Sequence, residues 1–131
     1  MQNLFKFDKL NFITAGMPIR TGKGSYPQAF DVLKEMNLDG MELEFVHGVR
    51  MSDDNRIFVK EMAKNFVITA HGPFYINLNS KEEEKIEASV QRIIDTAAVA
   101  AQAGAFSITY HAAFYMGGDK ETVFEQVKTQ T

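Results

Sequence analysis

The sequence predicts an α/β fold, specifically the parallel (βα)4 half of a (β/α)8 TIM barrel. Two observations predict it. Strand-like and helix-like segments alternate four times along 131 residues, which implies a parallel sheet with right-handed crossovers. Two consecutive strands also end in one pattern, Thr69-Ala70-His71 and Thr109-Tyr110-His111, at the strand ends where such folds place their ligands. A whole barrel takes about 250 residues, so this length supplies half of one. An open doubly wound sheet is the alternative. Gly16-Met-Pro-Ile-Arg after the first strand is not a G-x-G-x-x-G fingerprint, which counts against a nucleotide-binding sheet of that kind.

Asn11 to Ala15 reads as the first strand, closed by Gly16 and Pro18. Ser25 and Pro27 supply an N-cap and an early-turn proline for a helix through Met36 that buries Phe30 and Leu33. Asp39-Gly40 signals a turn, and Met41 to Phe45 alternates as a strand. Ser52 caps a second helix through about Asn65, with Asp53 and Asp54 at its positive end. Val67 to Ala70 is the third strand. Ser80 and Glu83 have the spacing of a capping box, and an apolar stripe follows at Ile86, Val90, Ile93, Ile94, Ala97, Ala98 and Ala101. Gly104 is the expected stop. Phe106 to Tyr110 is the fourth strand, and Asp119 caps a last helix containing Val123, Phe124 and Val127. No linker or low-complexity tract interrupts residues 1–131, which read as one domain.

Composition narrows the chemistry. Apolar residues at 45% and charged residues at 24% are an ordinary globular balance and exclude disorder. No apolar run approaches the roughly 20 residues that span a bilayer, and the N-terminus lacks the apolar core of a leader. Cysteine is absent, so a metal here takes His and carboxylate ligands, and a cytosolic setting is expected. A net charge of −3 requires any nucleic-acid contact to come from a local basic patch.

Period-2 alternation puts Thr69 and His71 on one face of their strand, Thr109 and His111 on one face of theirs. Imidazoles converging from adjacent strand ends suit zinc, manganese or iron. The bland alternative is two unrelated histidines, one buried and satisfied, one in a surface loop. In Met-Glu-Leu-Glu-Phe, Glu42 and Glu44 share the face opposite Met41, Leu43 and Phe45, with Glu44 nearer the histidines. A solvated face, or a structural ion pair with Arg50 or Arg56, is the competing reading. Arg20, Lys23 and Arg50 follow the first two strands and have the chemistry to hold phosphates, or are ordinary surface charges. Phe74 and Tyr75 follow His71 and can stack on a base or pack in the loop. His47 is isolated and reads as incidental.

The segment His71-Gly-Pro-Phe-Tyr-Ile-Asn-Leu-Asn-Ser80 resembles the endonuclease IV family of apurinic/apyrimidinic endonucleases, within the xylose-isomerase-like barrels. That family has His-x-x-(Tyr/Phe)-x-Ile-Asn-Leu after its third strand and a second His closing its fourth. The resemblance implies zinc, or manganese or another divalent ion, on His71 and His111, and a DNA contact at Phe74. It also implies abasic-site DNA as partner and hydrolysis of the phosphodiester 5′ to the lesion. Ala112-Ala113 departs from the usual Pro-Gly. The family's remaining ligands come from later strands, so these residues correspond to its N-terminal half. A sugar isomerase or epimerase of the same superfamily is the alternative. A half-barrel with open edge strands is expected to self-associate.

Overall fold

The computed structural model describes residues 9–131 and places four parallel strands in the order β1-β2-β3-β4. The first eight residues, most of the stretch read above as lacking a leader, lie outside the description. The strands are β1 Ile13–Ala15, β2 Gly40–Glu44, β3 Val67–His71 and β4 Ser107–Thr109. Helices α1 Tyr26–Glu35, α2 Asp53–Met62, α3 Glu83–Gln102 and α4 Lys120–Gln130 follow them one by one. This is the four-unit half-barrel pattern expected from the sequence. β1 and β4 are shorter than expected, because the described backbone pairs only over Ile13–Ala15 and Ser107–Thr109.

The core lies between the sheet and its helices. Met41, Leu43 and Phe45 are almost wholly buried, as are Ile68 and Ala70. They meet Ala29, Phe30 and Leu33 of α1, Val59 of α2, and Ala100 and Ala103 at the end of α3. Phe30 sits at the centre, edge-on to Phe58 and Phe66 with ring centroids 5.8 and 5.1 Å away. Glu42 and Glu44 therefore face away from the helices, as the alternation requires.

The helix ends show which local signals prevailed. Ser25 caps α1, and its N–H donates to Gln28 Oε1 at 2.8 Å. Ser52 Oγ accepts from Asn55 N–H, and Asp119 accepts from Thr122 N–H at 2.9 Å. Gly104 ends α3 with φ +80°, while Ala105 N–H donates to Ala100 C=O and Gly104 N–H to Ala101 C=O, a Schellman stop.

Three expectations are corrected. The Ser80–Glu83 capping box does not form: α3 starts at Glu83 behind Glu82, and Ser80 Oγ accepts from Glu82 N–H instead. The buried stripe of α3 is rotated from the one expected. Ser89, Thr96 and Ala100 are its buried residues, while Ile94, Ala97, Ala98 and Ala101 are exposed. Ser89 and Thr96 tolerate burial because their hydroxyls donate to the carbonyls of Lys85 and Arg92, each at 2.7 Å. Finally, Gly40 is not a turn residue but the first residue of β2. A Cβ there would lie 1.8 Å from the Val67 carbonyl oxygen, so the strands approach at a point only glycine allows.

Candidate metal centre

Helices cover one face of the sheet, so the opposite face presents Ala15, Glu42, Thr69 and Ser107 in one row and Glu44, His71 and Thr109 in the next. His71 is thus flanked by Glu44 on one side and Thr109 on the other. Its register partner is not His111, which lies two residues past the end of β4. The Thr-x-His repeats are offset by two residues rather than level. An offset of two preserves the face, and the imidazoles still meet, with ring centroids 5.3 Å apart and planes at 51°.

The ring orientation of His71 follows from its neighbour. Nδ1 lies 2.8 Å from the Gly72 carbonyl oxygen. A carbonyl only accepts, so Nδ1 bears the hydrogen of this contact, and in the neutral tautomer the lone pair lies on Nε2. This is how proteins orient a metal-binding histidine: one nitrogen fixed by a backbone carbonyl, the other presented to the ion.

Glu44 lies beside it in register. Burial pushes its carboxyl pKa up, the negative charge of Glu42 adds to the rise, and His71 opposes both. Glu42 accepts a weak hydrogen bond from Thr69 Oγ1 at 3.4 Å. Arg56 pairs with Asp53 and donates to Met51 C=O at 3.1 Å, so it is engaged away from Glu44.

The other sequence candidates lie in the segments that follow β1, β2 and β3. Phe74 is half exposed, edge-on to Tyr75 at 5.2 Å and to His47 at 6.0 Å. Tyr75 also carries the Arg92 guanidinium 4.7 Å from its ring centroid. Arg20 belongs to a single 3₁₀ turn, Ile19–Thr21, and pairs with Glu35 of α1 at 3.3 Å. Lys23 and Arg50 are exposed in the loops after β1 and β2. Among the described residues, no hydrogen bond or ion pair joins Arg20, Lys23 or Arg50 to the imidazoles.

Two imidazole nitrogens with a carboxylate alongside are the donor types that suit a divalent transition-metal ion. Among the described residues, however, no group of three or more His, Asp or Glu is gathered closely enough to hold an ion alone. Sequence reasoning passed over Asn77 and Asn79, whose side chains bind the loop carrying Phe114 and Tyr115. Their Asn-Leu-Asn spacing was the available signal.

Comparison with known proteins agrees with the fold. Residues 30–130 match the family described as xylose isomerase-like TIM barrel, and the chain belongs to that family. It is 42% identical over 120 residues to an uncharacterized protein of Methanocaldococcus jannaschii, covering 92% of this chain and 43% of that one. Among solved structures it resembles a D-tagatose 3-epimerase-like protein, with TM-score 0.67, 17% identity, and 92% and 46% of the two chains covered. It also resembles SacUVDE, with TM-score 0.64, 14% identity, and 93% and 55% covered. At those identities the likeness shows the fold alone. The chain thus spans about half the length of these proteins.

Proposed function

We propose that His71 and His111 are two ligands of a divalent metal, zinc foremost and manganese or another divalent ion in its place, in a barrel enzyme that hydrolyses DNA 5′ to abasic sites. The observation that supports this most is the His71 Nδ1 contact with the Gly72 carbonyl, which fixes the ring and leaves Nε2 as the nitrogen free for an ion, with the His111 ring 5.3 Å away. When bound, the metal supplies Lewis-acid activation of water and of a phosphoryl oxygen. The residues of this chain would do the rest by position. His71 and His111 anchor the ion, and Glu44 stands next to His71, able to hold or release a proton. Phe74, half exposed on the rim, would stack against the lesion. Arg20, Lys23 and Arg50 would take backbone phosphates. The Arg20–Glu35 pair is solvent-exposed, and such pairs are worth about 0–1 kcal/mol, so it would yield to a phosphate. With half a barrel present, the remaining ligands would come from other strands, and this chain alone is expected to incise poorly or not at all.

A second reading is supported by one observation: among the described residues, no hydrogen bond or ion pair joins Arg20, Lys23 or Arg50 to the histidine pair. A metal-dependent sugar isomerase or epimerase of the same superfamily needs His and Glu at strand ends and no phosphate clamp. Glu44, with its raised pKa, suits proton transfer beside a sugar carbonyl. The ordinary globular composition suits a cytoplasmic setting for either enzyme. Among the described residues no helix is long and apolar enough to cross a membrane.

Zinc titration by calorimetry tests the shared part. The chain should bind zinc weakly, and His71→Ala or His111→Ala should abolish the signal. Unchanged binding in both variants would sink the proposal. Incision of abasic-site DNA against turnover of a free ketose, measured on a protein containing the whole barrel, separates the two readings.

A further inference from the structure

The ladder between β3 and β4 closes where Gly72 N–H donates to Thr109 C=O at 2.8 Å. His111 lies beyond it on an exposed segment, where strand pairing no longer holds the backbone. Asn77-Leu78-Asn79 takes over. Leu78 N–H donates to Ala112 C=O at 2.9 Å, one residue past His111. Asn77 Oδ1 accepts from Phe114 N–H at 3.2 Å and from Asn79 N–H at 3.1 Å. Asn79 Nδ2 donates to Phe114 C=O at 2.9 Å and reaches Tyr115 C=O at 3.4 Å. Every partner is a backbone group of fixed polarity, so the orientation of both amides is forced. The clip is anchored below: Asn77 N–H donates at 3.0 Å to the buried hydroxyl of Ser89 in α3, and Leu78 is fully buried.

We infer that Asn77 and Asn79 are positioning residues for the histidine pair, holding the His111 segment against the His71 loop after strand pairing has stopped. The geometry stands on these hydrogen bonds, and its consequence for metal affinity rests on the metal reading above. The two side chains act with opposite polarity. Asn77 uses its oxygen alone, as an acceptor, and an aspartate offers the same oxygen. Asn79 uses its NH2 towards these carbonyls, and a carboxylate there faces two carbonyl oxygens with no hydrogen to give. A residue that only filled space would tolerate both near-isosteric replacements alike.

The test compares Asn77→Asp, Asn79→Asp, Asn77→Ala and Asn79→Ala. The readouts are the nuclear Overhauser effect between the His71 and His111 ring protons in metal-free protein, exchange of the Phe114 amide, and calorimetric zinc titration. Asn77→Asp should match the wild type in all three. Asn79→Asp and both alanine variants should lose the ring-to-ring effect, lose protection at Phe114 or gain disorder there, and bind zinc about 10- to 100-fold more weakly. Asn79→Ala, which adds no charge, serves if Asn79→Asp fails to fold. Equal behaviour of the two aspartate variants, or an intact ring-to-ring effect without the Asn79 donor, overturns the inference. A wild type that binds no zinc would defeat the metal reading, while the two metal-free readouts still decide the clip.

Discussion

Glu44 occupies the most informative single position, because its chemistry depends on neighbours that the fold supplies. Desolvation and the charge on Glu42 raise its pKa, and His71 opposes them. The folded protein therefore holds this proton more tightly than the unfolded chain does. Between the ordinary glutamate pKa and the raised one, the folded state binds more protons, so stability falls as pH rises through that window. Glu44→Gln removes this dependence. In metal-free buffer its urea midpoint should exceed that of the wild type at neutral pH, and the gap should close on acidification below the ordinary glutamate range. A gap that stays constant across pH would show that burial of Glu44 is not what strains it. The alternation of Met-Glu-Leu-Glu-Phe was enough to place this carboxylate on the correct face. Nothing in one strand could reveal its pairing with His71, since register is a property of two strands.

At the scale of elements, the sheet depends on close approach at Gly40 and on packing around Phe30. Gly40→Ala would drive a methyl group into the Val67 carbonyl. It should disrupt pairing of β2 with β3, visible as a large loss of thermal stability with a weakened His71 environment in NMR spectra. Phe30→Ala should cost about 3–5 kcal/mol, the usual range for emptying a buried aromatic site. A change under 1 kcal/mol in denaturant unfolding would mean that Phe58 and Phe66 collapse into the gap. Caps of the side-chain-to-backbone kind were legible in the sequence at Ser25, Ser52 and Asp119, as was the glycine stop at Gly104. The failure at Ser80 has a local cause, since its hydroxyl is committed to a turn at Glu82 N–H. The rotated face of α3 has a tertiary one. Ser89 is needed under the Asn77 loop, and Thr96 lies against Gly72, where an added Cβ would come within 3.4 Å of its hydroxyl.

At the scale of the molecule, among the described residues the sheet has two unpaired outer edges and an uncovered face. Lys9, Leu10, Asn11, Ile13, Val67, Thr69 and Phe106 line a cleft of about 320 Å³ on that side. Leu10, Phe12, Ile19, Ile94 and Phe124 are exposed. Open parallel edges and apolar surface together favour association. A polypeptide of these residues alone should sediment as a dimer or larger species, in which β4 of one copy lies beside β1 of the next. Lysine substitution at Ile13 and Phe12 should shift it towards monomer. A monomer at all concentrations in the unsubstituted chain would contradict this arrangement.

Local physics settled much of this protein before any folding was considered. Strand and helix alternation, the caps at Ser25, Ser52 and Asp119, the buried side of β2 and β3, and the strand-end position of His71 all follow from short-range period and polarity, which a single chain displays. Tertiary structure alone decided how those pieces met. It set the two-residue offset that places Thr109 rather than His111 opposite His71, the contact at Gly40, and the rotated face of α3. It also joined the His71 and His111 loops through Asn77 and Asn79. Each of these depends on distances between segments far apart in sequence, and such distances exist only once the backbone has closed around its core.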